Sequence, residues 1–188
     1  MRIISGSFKG KRILIPKDKL TRPLKDLTKE SIFNIIKHSK LLNVELENSN
    51  ILDLFSGTGS FGLECLSRGS KSVTFLENYK DVLNILKKNI DNLKQNKHTK
   101  IIEKNIFSKN TLMMLNEKFD IIFMDPPYKE KKLSILLNTI IKLKLLNDSG
   151  VIIIHRHKKE EDEFSEEFNL IIEKNYGISK IIFGNILA

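Results

Sequence analysis

Residues 51–62 read Ile51-Leu52-Asp53-Leu54-Phe55-Ser56-Gly57-Thr58-Gly59-Ser60-Phe61-Gly62. The first five form a short, mostly apolar run, the pattern of a strand covered on both faces. Gly57, Gly59 and Gly62 follow with the spacing G-x-G-x-x-G, between that strand and a helix expected over 61–68 and stopped by Gly69. Glycine lets the backbone turn tightly and lets a ligand approach where a Cβ would obstruct it. A loop of this kind marks an open parallel sheet that binds ligands beyond the carboxyl ends of its strands.

Outward from the loop, strands and helices alternate. A second strand is expected over 72–76, and Val82, Ile85, Leu86, Asn89, Ile90 and Leu93 mark one face of a helix. Ile101-Ile102 sits in a third strand, 119–124 forms a fourth, 133–146 an amphipathic helix and 151–154 a fifth strand. Segments 168–172 and 178–186 read as two more strands, joined by the turn Asn175-Tyr176-Gly177. Short apolar strands separated by helices give a parallel sheet covered on both faces. The expected fold is therefore α/β and Rossmann-like: a mostly parallel seven-stranded sheet with a C-terminal antiparallel hairpin. Ahead of it, residues 2–15 alternate around Gly6 and Gly10 as a short hairpin, Thr21-Arg22-Pro23 is extended or a turn, and 24–38 is helical. The chain divides in role into 1–40, hairpin and helix, and 41–188, one compact unit.

Composition narrows the class. The 188 residues are 40% hydrophobic and 29% charged, ordinary for a soluble globular domain. Cys65 is the single cysteine, so neither an intramolecular disulfide nor a zinc cluster fits, and no other metal site is expected. The single cysteine makes a cytoplasmic setting the expectation; no apolar run nears the roughly 20 residues of a membrane span, and residues 1–6 have no signal-peptide core. The formal net charge is +9, from 32 Lys plus Arg against 23 Asp plus Glu. A polyanionic partner would explain it; so would an A+T-rich genome that favours lysine.

Two carboxylates shape the expected ligand. Glu77 ends the second strand 20 residues after Gly57, where a carboxylate can bind ribose hydroxyls. Asp53 stands just before the glycine loop. There it suits a cofactor with a cationic amino-acid part and repels a pyrophosphate. S-adenosylmethionine is thus favoured over a dinucleotide; alternatively, Asp53 bonds loop amides only.

The fourth strand ends in Asp125-Pro126-Pro127-Tyr128, a stiff turn that cannot continue a ladder. Asp125 can accept a hydrogen bond from an NH2 group, and Pro126 offers a carbonyl as second acceptor. Tyr128 supplies a face on which a base can stack. An exocyclic amine is a poor nucleophile because its lone pair is delocalised into the ring. Two acceptors on its hydrogens favour a pyramidal nitrogen whose lone pair can attack a methyl sulfonium. Positioning and electrostatic fit then supply the rate, and the base must be unpaired or flipped out.

Across nearly its whole length the chain resembles the RsmD-type bacterial small-subunit rRNA guanine-N2 methyltransferases. The resemblance lies in residues 1–12, Thr21-Arg22-Pro23, residues 30–35, the stretch 53–69 and Asp125-Pro126-Pro127-Tyr128. It implies S-adenosylmethionine as cofactor and N2 of a loop guanine in 16S rRNA as target. Small ribosomal subunits or their assembly intermediates would be the partner, with the enzyme a monomer. It implies Asp53, Phe55, Gly57, Gly59 and Glu77 as cofactor-binding, Asn105 beside the adenine, and Asp125, Pro126, Pro127 and Tyr128 as the catalytic loop. Lys9, Lys11, Arg12 and Arg22 would touch RNA.

The chain departs from the family pattern at three places. Leu27-Thr28-Lys29 precedes Glu30 where arginine is usual, His155-Arg156-His157 stands where an acidic residue is expected, and Ala188 replaces the usual aromatic ending. The charged run 158–167 reads as a solvated loop or helix. Other readings are a DNA adenine-N6 methyltransferase, a protein glutamine methyltransferase, or a non-catalytic RNA-binding assembly factor.

Overall fold

Burial on both faces turns the apolar runs into the interior strands of one sheet. The computed structural model describes residues 1–16 and 24–187. Thr21, Arg22 and Pro23 therefore lie outside the described residues. Strands β1 (Asn50–Leu54), β2 (Ser72–Leu76), β3 (Thr99–Ile102), β4 (Phe119–Met124) and β5 (Leu146–His157) pair in parallel. Strands β6 (Phe168–Tyr176) and β7 (Ser179–Ile186) form an antiparallel hairpin, with β7 inserted beside β5. The order is β3-β2-β1-β4-β5-β7-β6. It reverses between β1 and β4, so that junction is the switch point where such sheets bind ligands.

Alternate strand residues face opposite sides of the sheet. On one side Ile51, Val73, Phe75, Phe123 and Ile153 pack with Leu86 and Ile90 of α3 (Lys80–Asn92) and Phe33 of α1 (Asp26–His38). There Phe61 of α2 (Ser60–Ser67) stacks between two rings, its centroid 5.3 Å from Phe33 and 4.0 Å from Phe123. On the other side Leu52, Leu54, Ile122, Met124 and Ile152 meet Leu112 of α4 (Lys109–Met113) and Leu136, Leu137 and Ile140 of α5 (Leu133–Lys142).

The N-terminal hairpin is reduced to one antiparallel bridge, Arg2 to Arg12. Its turn lies against the C-terminal half of α2. The Ile4 and Ser5 amides donate to the Glu64 carboxylate at 2.8 and 2.9 Å, and the Phe8 amide donates to Ser67 Oγ at 2.9 Å. Gly6 is required: its φ is +82°, and a Cβ there would lie 1.7 Å from the Ser67 carbonyl oxygen. Ile3, Ile13, Ile32, Phe33 and Ile36 belong to the same core as the sheet. Residues 1–40 thus have no separate core within the described residues.

Several boundaries differ from the sequence expectation. Helix α5 stops at Lys142, and Leu146 already pairs with Phe119 in β5. Lys144 adopts φ +51°, and the Leu145 amide donates to the Ile140 carbonyl, closing the helix end without glycine. In the last hairpin Tyr176 pairs with Ser179, so the loop is Gly177 and Ile178, while Asn175 and Tyr176, expected in the turn, belong to β6. Gly177 at φ +60° suits the first central position of a two-residue turn.

Candidate active site

Strand β1 delivers Asp53 to the carboxyl edge, 1% exposed. Its Oδ2 accepts the Gly62 amide at 3.0 Å and so fixes the first turn of α2. Burial pushes the Asp53 carboxyl well above the usual carboxylate range; the nearby Asp125 and Glu77 push the same way and the Gly62 amide opposes them. Gly59, at φ +79°, precedes α2, and a Cβ there would sit 2.5 Å from Leu86 Cδ1. Glu77 follows β2 directly; its Oε2 accepts the Gly57 amide at 2.8 Å and its Oε1 accepts the Asn78 and Tyr79 amides, each at 2.9 Å. One carboxylate thus ties the glycine loop to the end of β2.

Phe55 enters the loop at φ +59°, a left-handed conformation that a bulky residue rarely adopts. Its ring lies 5.8 Å from that of Phe107. Asn105 is exposed and accepts the Phe107 amide at 2.9 Å through Oδ1, which shapes the turn after β3. The two rings are tilted by 54° to one another.

The second loop opens next to the first. Leu54 and Met124 are register partners, and the Asp125 amide donates to the Leu54 carbonyl at 3.4 Å. Asp125 Oδ1 is paired with His155 Nδ1 at 2.8 Å. Tyr128 is half-buried; its ring meets His157 edge-on at 5.1 Å, and its hydroxyl lies 3.4 Å from Ser179 Oγ.

Arg156, 1% exposed, holds the Asp-Pro-Pro-Tyr loop. Nη1 donates to the Pro127 and Tyr128 carbonyls at 3.3 and 3.4 Å, and Nη2 to the Glu130 carbonyl at 3.1 Å. The guanidinium also grips both Asp162 carboxylate oxygens at 2.9 Å. The charged run 158–167 is a mostly exposed loop, and Asp162 is the exception within it. Its side chain is only 8% exposed because the buried Arg156 charge needs a counter-charge. Sequence reasoning missed Arg156. The available signal was a cation at the end of an otherwise apolar strand, which demands a partner.

Lys29, at one of the departures from the family pattern, is fully buried. Its Nζ lies 3.6 Å from Glu64 and donates to the Arg2 carbonyl and to Ser60 Oγ at the start of α2. It is a structural tie between the hairpin and the end of the glycine loop. Asn89 makes a second tie, donating to the Leu14 and Thr58 carbonyls and accepting the Leu14 amide. Lys9, Lys11 and Arg12 are exposed on the hairpin. The hairpin turn lies along the far end of α2, an eight-residue helix of about 12 Å, while Leu14 returns to the glycine loop.

The donor set fits S-adenosylmethionine. Asp125 and Glu77 both lie close enough to Asp53 for their charges to act on its carboxyl. That suits a cationic ligand with ribose hydroxyls and repels a pyrophosphate. The sheet order, the glycine loop at the switch point and the acceptor loop beside it define an S-adenosylmethionine-dependent methyltransferase of the Rossmann-like class.

Comparison with known proteins agrees. The model of a family described as "Conserved hypothetical protein 95" matches residues 1–185, and the chain belongs to that family, the RsmD family. It is 33% identical over 183 residues to the "Putative rRNA methyltransferase YlbH" of Bacillus subtilis, covering 96% of each chain. It is 31% identical to the "Ribosomal RNA small subunit methyltransferase D" of Haemophilus influenzae, covering 95% of this chain and 90% of the relative. The solved structure of the "Putative methyltransferase yhhF" of Escherichia coli superposes with a TM-score of 0.82 at 25% identity, covering 100% of this chain and 98% of the other.

Proposed function

We propose that this enzyme transfers a methyl group from S-adenosylmethionine to N2 of a guanine in an unpaired loop of small-subunit rRNA. The observation that carries the reading is the junction of the two loops at the switch point, where the Asp125 amide donates to the Leu54 carbonyl. The names of the curated relatives support an rRNA substrate.

Asp53, Gly57, Gly59 and Glu77 would hold the cofactor, with Phe55, Phe107 and Asn105 around its base. When bound, S-adenosylmethionine supplies a methyl group on a cationic sulfur. Asp125 and the Pro126 carbonyl accept the amine hydrogens and turn its lone pair toward that methyl. Tyr128 offers the base a stacking face, worth roughly 1–3 kcal/mol. Most of the acceleration comes from this positioning and from carboxylate stabilisation of the cation formed at nitrogen. Residues 1–40, with exposed Lys9, Lys11 and Arg12, are the RNA-contacting part. The partner is the small subunit or its assembly intermediate in the cytoplasm.

Mass mapping of 16S rRNA from cells lacking this protein tests the reading. One loop guanine should lose its N2 methyl, and purified enzyme with S-adenosylmethionine should restore it. An unchanged map rejects rRNA as the substrate.

A further inference from the structure

We infer that His155 is a positioning residue that selects which oxygen of Asp125 meets the substrate amine. The inference rests on the methyl-transfer reading above. Asp125 Oδ1 is taken up by His155 Nδ1 at 2.8 Å. A carboxylate only accepts, so the imidazole hydrogen sits on Nδ1. His155 Nε2 is buried and, among the described residues, has no hydrogen-bond partner, as expected for the nitrogen without a hydrogen.

The neighbouring Arg156 occupies other acceptors of the same loop. The carbonyls of Pro127, Tyr128 and Glu130 all receive its guanidinium, and the Glu130 amide also donates to Pro127. Among the described residues, no hydrogen bond reaches Asp125 Oδ2 or the Pro126 carbonyl. Those two acceptors are the pair that an NH2 group requires. Two adjacent residues of β5 therefore leave one carboxylate oxygen and one carbonyl for the substrate. His155 also stops the carboxylate from rotating Oδ2 out of place.

The experiment compares His155→Leu and His155→Asn with wild type, using small subunits from cells lacking the enzyme and radiolabelled S-adenosylmethionine. Asparagine can place an N–H near the Nδ1 position; leucine cannot. Leucine should lower kcat by about 100-fold, the scale of an ångström-sized misplacement, while KM for the subunit and affinity for S-adenosylhomocysteine stay unchanged. Asparagine should recover most of that loss. An independent check is long-range 15N NMR of wild-type His155, which should show the Nδ1–H tautomer. A leucine variant as active as wild type, an asparagine variant as slow as leucine, or an Nε2–H tautomer overturns the inference. If leucine fails to fold, the asparagine variant and the tautomer decide. An inactive wild type sinks the methyl-transfer reading and this inference with it, whereas an active wild type beside an equally active leucine variant sinks this inference alone.

Discussion

Glu64 and Lys29 face each other at 3.6 Å with both side chains wholly out of solvent. Glu64 is the hub of this contact, because it also accepts the Ile4 and Ser5 amides and pairs with Arg68 at 2.8 Å. Glu64→Ala leaves a buried ammonium without its counter-charge and should cost about 3–5 kcal/mol. Lys29→Met should cost less, since Glu64 keeps Arg68 and two amides. Urea unfolding of both variants checks the ranking; a Lys29→Met penalty equal to or above that of Glu64→Ala contradicts it.

Gly6→Ala places a methyl 1.7 Å from the Ser67 carbonyl oxygen at a φ of +82°. Backbone is not able to yield there as a flexible side chain would. The hairpin should lift from α2, with a stability loss of at least about 1–3 kcal/mol. Amide exchange at Ser7 and Phe8 should speed up. Gly10→Ala also sits at positive φ but meets nothing within 4 Å, so it should cost less.

Asp125→Ala should lower methyl transfer by about 100- to 1,000-fold, the usual effect of losing one preorganised electrostatic partner. Affinity for S-adenosylhomocysteine, measured by calorimetry, should be little changed. A loss of cofactor affinity as large as the loss of rate would assign Asp125 to the cofactor instead.

Arg156→Met frees three loop carbonyls and leaves Asp162 without the charge it was buried against. The loop 125–130 should loosen, seen as faster exchange of the Glu130 amide, and kcat should fall. Asp162→Asn keeps neutral acceptor capacity and should be milder. Unchanged exchange at Glu130 in Arg156→Met would show that the clamp does not hold the loop.

Asp53 makes stability pH-dependent. Its carboxyl titrates near 3.8 when unfolded and well above that when folded, chiefly because burial disfavours its charge. The folded state therefore holds this proton more firmly than the unfolded state. The resulting stability is complete below 3.8 and is lost as pH rises through the folded value. Asp53→Asn removes this dependence, so its stability relative to wild type should rise from acid toward neutral pH. Paired urea titrations across that range measure the difference, and a constant offset would refute the prediction.

Much of the fold was legible because it depends on local pattern. The apolar runs at 72–76 and 119–124 became β2 and β4 with the expected bounds, and that at 51–55 became β1, one residue earlier at each end. The glycine spacing, Glu77 and the Asp-Pro-Pro-Tyr turn were readable as chemistry because each needs particular residue types at short separations. The end of α5 was not readable, since Lys144 takes a left-handed conformation that its side chain does not advertise.

The sequence by itself determined the parallel α/β class, the glycine loop and the acceptor loop, because period, turn chemistry and motif spacing act over a few residues. Tertiary structure alone decided which distant groups meet: His155 on Asp125, Arg156 on the carbonyls of Pro127, Tyr128 and Glu130, Lys29 on Glu64. Those pairings arise because a buried charge or donor must find its partner wherever the fold brings one, and strand order and register set that distance, not separation along the chain.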